Sequence, residues 1–465
     1  MASARTSLRA VLLVAGTLLA ASPACLAGEA PAESPAPRVL TLEDSIAIAL
    51  ENNRSIQTAI DRLDRAVGRV GEARAAGRLQ LSAQATLTRN DQETSFSLPG
   101  SNGGPAQEAT LTPLYSRTGR LSVTQPIDIS GALRASRNIA DLGVVAAHLD
   151  VERTQEQTVL DVKSAFYQVL RAQAALEVAQ ANVASLEEHL RQAEAFQRAG
   201  VAARFDVLRA ETQVANARQN VIAARNAVEL AKATLNNVMG IDVSTPLTVR
   251  AEEEVEVVLP EYAPSLEAAY AQRAEVKQAR VNVEMSQRGV SLAKATGRPT
   301  LGLNWQGNVT ADGGAFSPRA FQWNASAVIS YPILEGGLTK ARVTQARADV
   351  EAAEVTEQQV REGVALEVKQ AILSMEESAE RMEAAAKNVE QAQEALRLAK
   401  VRYREGVSTP LEVTDAQAVL TQAETNLVNA RYDYLLARAR YQRAVGQESV
   451  ATGTAAPANA EGAAP

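Results

Sequence analysis

Two periodicities alternate along this chain. Over TLEDSIAIALENNRSIQTAIDRLDRAVGRVGEARAA (41–76) apolar positions recur every three or four residues, which predicts an amphipathic helix. Thr41 is placed as its N-cap, with Asp44 able to bond back to it. A matching helix is predicted over 265–295, opened by Pro264 and Ser265. Each is followed by two short segments of period-two alternation, 81–87 with 120–126 and 301–307 with 322–332. In the third of these, Leu301, Leu303 and Trp305 share one side, and Gly302, Asn304 and Gln306 the other, which marks a strand with two different faces. Long helical patterns come next, Leu133–Ala199 and Thr339–Glu405, neither broken by proline. Helices of that size reach about 100 Å. A glycine turn follows each, at Gly200 and Gly406, and a further helix returns to Gly240 or Gly446. The seam Val214, Ala217, Val221, Ala224, Val228 and Ala231 is small and apolar, so helices can approach closely, but each contact buries little surface.

The pattern repeats because the chain does. Pro126 and Pro332, Gly131 and Gly337, Gly200 and Gly406, and Gly240 and Gly446 are all 206 residues apart. Upstream the offset grows to 220, from Gly77 to Gly297, so the first copy carries fourteen extra residues. These fall in a Gly, Pro, Ser and Asn-rich loop between Asn90 and Arg117. The organisation read from the chain is therefore a signal segment (1–27), a flexible segment (28–40) and a first repeat (41–240, β-hairpin 79–127, tip near 200). A β-prone acidic linker (241–264), a second repeat (265–446, β-hairpin 299–332, tip near 406) and a disordered tail (447–465) complete it.

Composition narrows the classes. Aromatics make up 4% and charged residues 22%, which suits long amphipathic helices better than a compact aromatic core. A formal charge of −7 argues against a nucleic-acid partner. The N-terminus runs from Arg5 and Arg9 through VLLVAGTLLAA to SPACLAGEA, the order of a secretory signal, with cleavage expected after Ala27. Cys25 is the only cysteine; Pro23 two places before it and the lack of a leucine three places before it speak against its lipidation, and the mature protein would have no disulfide.

Four strands with unlike faces suit a wall between lipid and water, yet four strands leave open edges, which a bilayer does not tolerate. Closure would need several subunits. The aromatics expected at the lipid interface are Tyr115, Trp305, Phe321, Trp323 and Tyr331. A small soluble sheet capping a coiled coil is the plainer reading of the same strands.

The opening TLEDSIAIALENNRSIQTA, the tandem repeat, QPI and YPILEGG leading into long helices, and the two Gly-Val turns occur in an order that resembles the TolC (outer membrane efflux protein) family over roughly residues 40–447. The resemblance implies a mainly α fold with a small β part. Each chain would give four strands to a trimeric 12-stranded outer-membrane barrel and its long antiparallel helices to a periplasmic α-barrel. It also implies a homotrimeric exit duct for drugs, metals, peptides or secreted proteins, set in outer-membrane lipid and docked on a periplasmic adaptor and an inner-membrane transporter.

By the same resemblance Gly200, Val201, Gly406, Val407 and Ser408 form the tips that meet the adaptor. Glu412 and Asp415, three apart on one helix face, would line the periplasmic constriction as rings of carboxylates, which attract cations. Asp206 would bond Tyr403 as a latch between the two hairpins. Ser408 stands where one member of the family carries an arginine, which leaves the salt-bridging half of the latch to Arg204 or Arg404. Read without the resemblance, these acids sit near helix N-termini, where carboxylates are favoured anyway.

No chemistry of catalysis is visible. His148 and His189, 41 residues apart and without ligand-spaced partners, read as solvated helix residues. Glu187–Glu188 and Glu376–Glu377 read as solvated helix charge, and no phosphate loop, HExxH or G-x-S-x-G occurs. Neither enzyme nor cofactor is expected. The alternatives from other classes are a secreted coiled-coil adaptor or scaffold without a pore, and a carbohydrate or peptidoglycan enzyme on a helical stalk.

Overall fold

The computed structural model describes residues 38–98, 107–250, 257–311 and 321–447. The signal segment with Cys25, nearly all of the 28–40 segment and the tail beyond Gln447 lie outside these. The two long helices appear within one residue of their expected limits: α3 spans Ala132–Arg198 and α7, further along, Leu338–Arg404. Both start after a glycine in the left-handed region, Gly131 (φ 82°) and Gly337 (φ 88°). Their N-termini are satisfied differently. Asp128 accepts from the Leu133 and Arg134 backbone N–H groups at 3.2 and 2.8 Å. The position 206 residues on is Leu334, and there the Thr339 hydroxyl bonds Glu335 instead.

The helices predicted over 41–76 and 265–295 are each broken in two. α1 (Leu42–Asn52) and α2 (Arg54–Ala75) meet at Asn53, and α5 (Tyr262–Gln272) and α6 (Ala274–Ala295) meet at Arg273. Both junction residues are extended (ψ 124° and 131°). The breaks are held both locally and from outside: Asn53 Oδ1 caps α2 by accepting from the Ser55 N–H at 2.8 Å while its Nδ2 donates to the Val238 carbonyl at 2.9 Å, and Arg273 is anchored by Glu275 and Glu367. The Thr41–Asp44 capping box forms as predicted, while α5 begins at Tyr262 rather than after Pro264.

The flexible segment and the linker also meet, contrary to expectation. β1 (Arg38–Leu40) pairs in parallel with β6 (Leu247–Val249). Leu40, Leu247 and Val249 then join Phe166, Leu235 and Met239 in the largest buried cluster. That cluster is built on α3, α4 (Arg204–Met239) and α1, with Leu435 and Ala439 of α8 (Pro410–Val445) from the second repeat. Of the predicted seam, Val214, Ala217, Val228 and Ala231 are buried and Val221 and Ala224 half-buried.

The main sheet has the order β2-β5-β7-β8, all antiparallel: Gln80–Arg89, Tyr115–Ile127, Thr300–Ala311 and Phe321–Ser330. The two repeats thus give one hairpin each and join through β5 and β7. Among the described residues β2 and β8 have no outer neighbour, and every residue of both strands is exposed. The loop of the first repeat is shorter than expected, because β3 (Thr94–Leu98) and β4 (Gln107–Thr112) form a separate antiparallel ribbon within it. Among the described residues no helix is long and apolar enough to cross a membrane.

Candidate functional site: the helical tips and the seam behind them

The helix reversals at Gly200 and Gly406 are near copies. Gly200 (φ 77°) donates to the Gln197 carbonyl and Val201 to the Phe196 carbonyl, at 2.9 and 3.0 Å. Gly406 (φ 71°) and Val407 bond Tyr403 and Arg402 in the same way. This is a Schellman ending, whose left-handed residue is cheapest as glycine. It leaves Val201, Phe205 and Val407 at the extremity, each about two-thirds exposed or more. At the second tip Pro410 opens α8, where its missing N–H costs nothing.

Behind the tips lie the acids. Glu412 and Asp415 are both exposed on the first turns of α8. Glu412 has one ionic partner, Arg402 of α7, at 3.7 Å, with both side chains about half exposed. A pair so open to water holds the tip weakly. Asp206 is half-buried, and its charge acts on Tyr403. The two residues are brought together but not hydrogen bonded. The Tyr403 ring is buried, with its edge on Phe196 (5.3 Å) and against His189 (5.4 Å), while its hydroxyl has no partner. Burial, then the Asp206 carboxylate, push that phenol above its ordinary range. The Ser408 hydroxyl is likewise buried and unbonded.

A different polar contact joins the two hairpins, one to two turns further from the tips. Lys400 Nζ of α7 donates to Ser185 Oγ of α3 at 3.1 Å, and Ser185 Oγ donates to Gln417 Oε1 of α8 at 2.5 Å. Gln417 Nε2 in turn donates to Asn182 Oδ1 of α3 at 3.2 Å. Gln417 is 6% exposed, and its Nε2 also reaches Thr421 Oγ1 of α8 at 3.4 Å, so both ends of its buried amide are bonded. Sequence reading missed it: Ser, Asn, Gln and Lys on a helix face carry no signal until the partner face is known. His189, expected to be solvated, is also buried, while His148 is exposed.

A second buried polar cluster lies where α3, α5, α6, α7 and α8 meet. Arg273, its side chain 4% exposed, bonds Glu275 (3.2 Å) and Glu367 (2.6 Å), and Arg443 bonds Glu367 (2.8 Å) and Glu275 (3.4 Å). Lys277 pairs with Glu152 at 3.7 Å. Glu156 is 3% exposed, and its Oε1 has no partner. Burial, then Glu275 and Glu152, raise its carboxyl pKa to about 7. Among the described residues no group of His, Cys, Asp and Glu is arranged to hold a metal ion.

At the sheet, Tyr115, Phe321, Trp323 and Tyr331 are exposed, and Trp305 is half-buried with its ring 6.5 Å from Phe321. Gly307 lies beneath this pair. A Cβ there would come within 2.9 Å of both rings. Tyr115, Phe321 and Trp323 mark the sheet end remote from the long helices, and Tyr331, just past β8, the near end.

The model of the outer membrane efflux protein family matches residues 46–241 and 265–447, the two repeats. Nodulation protein T of Rhizobium leguminosarum bv. viciae is 24% identical over 399 residues, covering 84% of this chain and 78% of that protein. The probable efflux pump outer membrane protein TtgC of Pseudomonas putida is 24% identical over 411 residues, with 87% and 82% covered. The crystal structure of the outer membrane protein VceC of Vibrio cholerae superposes with a TM-score of 0.71 at 22% identity, over 87% of this chain and 96% of that one. With the matched segments covering nearly all of both repeats, the chain belongs to the outer membrane efflux protein family.

Proposed function

We propose that the chain is one third of an outer-membrane exit duct, which carries substrates handed over by an inner-membrane transporter and a periplasmic adaptor across the periplasm and out of the cell. The observation that carries this reading is the four-stranded sheet with both edges open, set at one end of two 67-residue helices. Open edges in lipid would leave backbone groups unsatisfied, so β2 of one copy is taken to pair with β8 of the next. Three copies give a 12-stranded barrel, within the range that spans outer membranes. From Phe321 to Tyr331 is about 33 Å of strand. Tilted as barrel strands are, this places the aromatics about 25 Å apart in height, the depth of an apolar band.

In such a trimer the helical hairpins form the periplasmic tunnel. Their apolar extremities, Gly200–Val201 and Gly406–Val407–Ser408, meet the adaptor, and Glu412 and Asp415 form carboxylate rings at the narrow end. Asp206 and Tyr403 lie in the seam that must part when the end widens, and the Ser185–Gln417 contact takes the bonding share that the unpartnered Tyr403 hydroxyl leaves open. Transport energy comes from the inner-membrane partner. The test is conductance in planar bilayers. The wild-type channel should be cation-selective, and Glu412→Ala with Asp415→Ala should raise conductance and lower selectivity. A channel whose selectivity is indifferent to both substitutions would remove the constriction from these residues.

A further inference from the structure

The seam between the two hairpins holds a buried histidine with an uncommitted nitrogen beside a lysine. His189 of α3 is 5% exposed, its Nδ1 has no partner, and its ring lies against Tyr403 of α7. One turn back on the same helix, Ser185 receives the hydrogen bond from Lys400 that ties α3 to α7. We propose that His189 makes this seam acid-labile: protonation places a second cation beside Lys400, inside the packing of α3 on α7, and loosens the hairpins near the tips. This rests on the exit-duct reading for its consequence, an opened tunnel end, but not for the loosening itself.

The surroundings favour the neutral ring. Lys400 of α7 opposes a positive charge, and Tyr403 of the same helix offers only its ring. Asp206 of α4 acts on the Tyr403 phenol, Gln417 of α8 is neutral, and the nearby charges of α3 itself, Glu188 and Arg191, are exposed. Burial, then Lys400, hold the imidazole below its ordinary value of 6.5. The sign follows directly. The packed seam binds fewer protons than the parted one, so it is fully stable above the ordinary histidine range and loses stability as pH falls below it.

The experiment compares the full-length, detergent-extracted protein at pH 7.5 and pH 5 by amide hydrogen exchange, corrected for the intrinsic effect of pH, alongside bilayer conductance. Exchange in the tip-proximal turns of α3 and α7 should rise several-fold on acidification in the wild type. It should stay flat in His189→Gln, and rise less in Lys400→Gln, which removes the opposing cation. Conductance should rise with it in the wild type alone. A wild-type seam that does not respond, or a response that persists in His189→Gln, overturns the inference. A seam that responds in a protein forming no channel at any pH would instead sink the exit-duct reading and leave the histidine's role standing.

Discussion

Gly240, the left-handed residue that ends α4, sits so close to Asn52 that a Cβ on it would lie 2.5 Å from the Asn52 carbonyl oxygen. The second repeat reproduces the contact with Gly446, where a Cβ would lie 3.0 Å from the Gln272 Cβ. Each glycine thus docks the returning helix on the break between two helices, at Asn53 or at Arg273.

Gly240→Ala should therefore cost more than the same change at Gly200. Both have φ near 77°, worth about 1–2 kcal/mol against alanine, but nothing lies within 4 Å of a Cβ at Gly200. Overpacking at Gly240 adds roughly 1–3 kcal/mol. Thermal midpoints of the two variants, measured side by side, check the order; equal midpoints would mean the Asn52 contact relaxes freely.

The ion cluster predicts a pH dependence of its own. Arg273, Arg443 and Lys277 already face Glu275, Glu367 and Glu152, so an ionised Glu156 has no cation to itself. With its folded pKa raised to about 7 from 4.5, the folded state holds the proton more tightly, and stability falls as pH rises from 4.5 to 7. Glu156→Gln should stabilise the protein on the order of 1–3 kcal/mol at pH 8 and bring almost nothing near pH 4.5, read from denaturation midpoints. A gain independent of pH would show that the carboxyl does not titrate in this window.

Removal of the cluster's central cation should have the opposite effect. Arg273→Ala leaves Glu275 and Glu367 short of a donor in a buried setting, at a cost of roughly 3–5 kcal/mol. Burial works against ionisation of Glu275, but its bonds to Arg273 prevail and hold its pKa below 4.5. The wild-type advantage over Arg273→Ala is therefore present above pH 4.5 and shrinks as pH falls below it. A difference in midpoint that persists undiminished at pH 3 would contradict this.

Gln417→Leu tests the inter-hairpin contact. It removes one hydrogen bond from Ser185, which keeps Lys400, and one from Asn182, each a loss of about 1 kcal/mol for a half-buried pair. Resting conductance should increase while the oligomer persists in detergent. Unchanged conductance would place the closing contact elsewhere.

The long elements were legible in the sequence because a 67-residue helix repeats its pattern many times, and a 206-residue offset fixes its copy. The breaks at Asn53 and Arg273 were not, because the apolar period runs through both sites; the Asn53 cap on Ser55 with its bond to Val238, and the hold of Glu275 and Glu367 on Arg273, show why the helix yields. The Arg38–Leu40 strand escaped notice for a similar reason, since three residues become a strand only beside Leu247–Val249. Around the tips, glycine turns and acids could be read from local spacing. The burial of His189 and the commitment of Gln417 are properties of the face opposite them, and no residue near either in sequence announces it.

The central claim, that the open sheet closes with copies of itself in a membrane, is tested most directly by the mass and cellular fraction of the detergent-extracted protein. The account predicts a particle of three chains recovered from the outer membrane. A monomer or dimer in the soluble fraction would contradict it and would favour a pore-free coiled-coil scaffold.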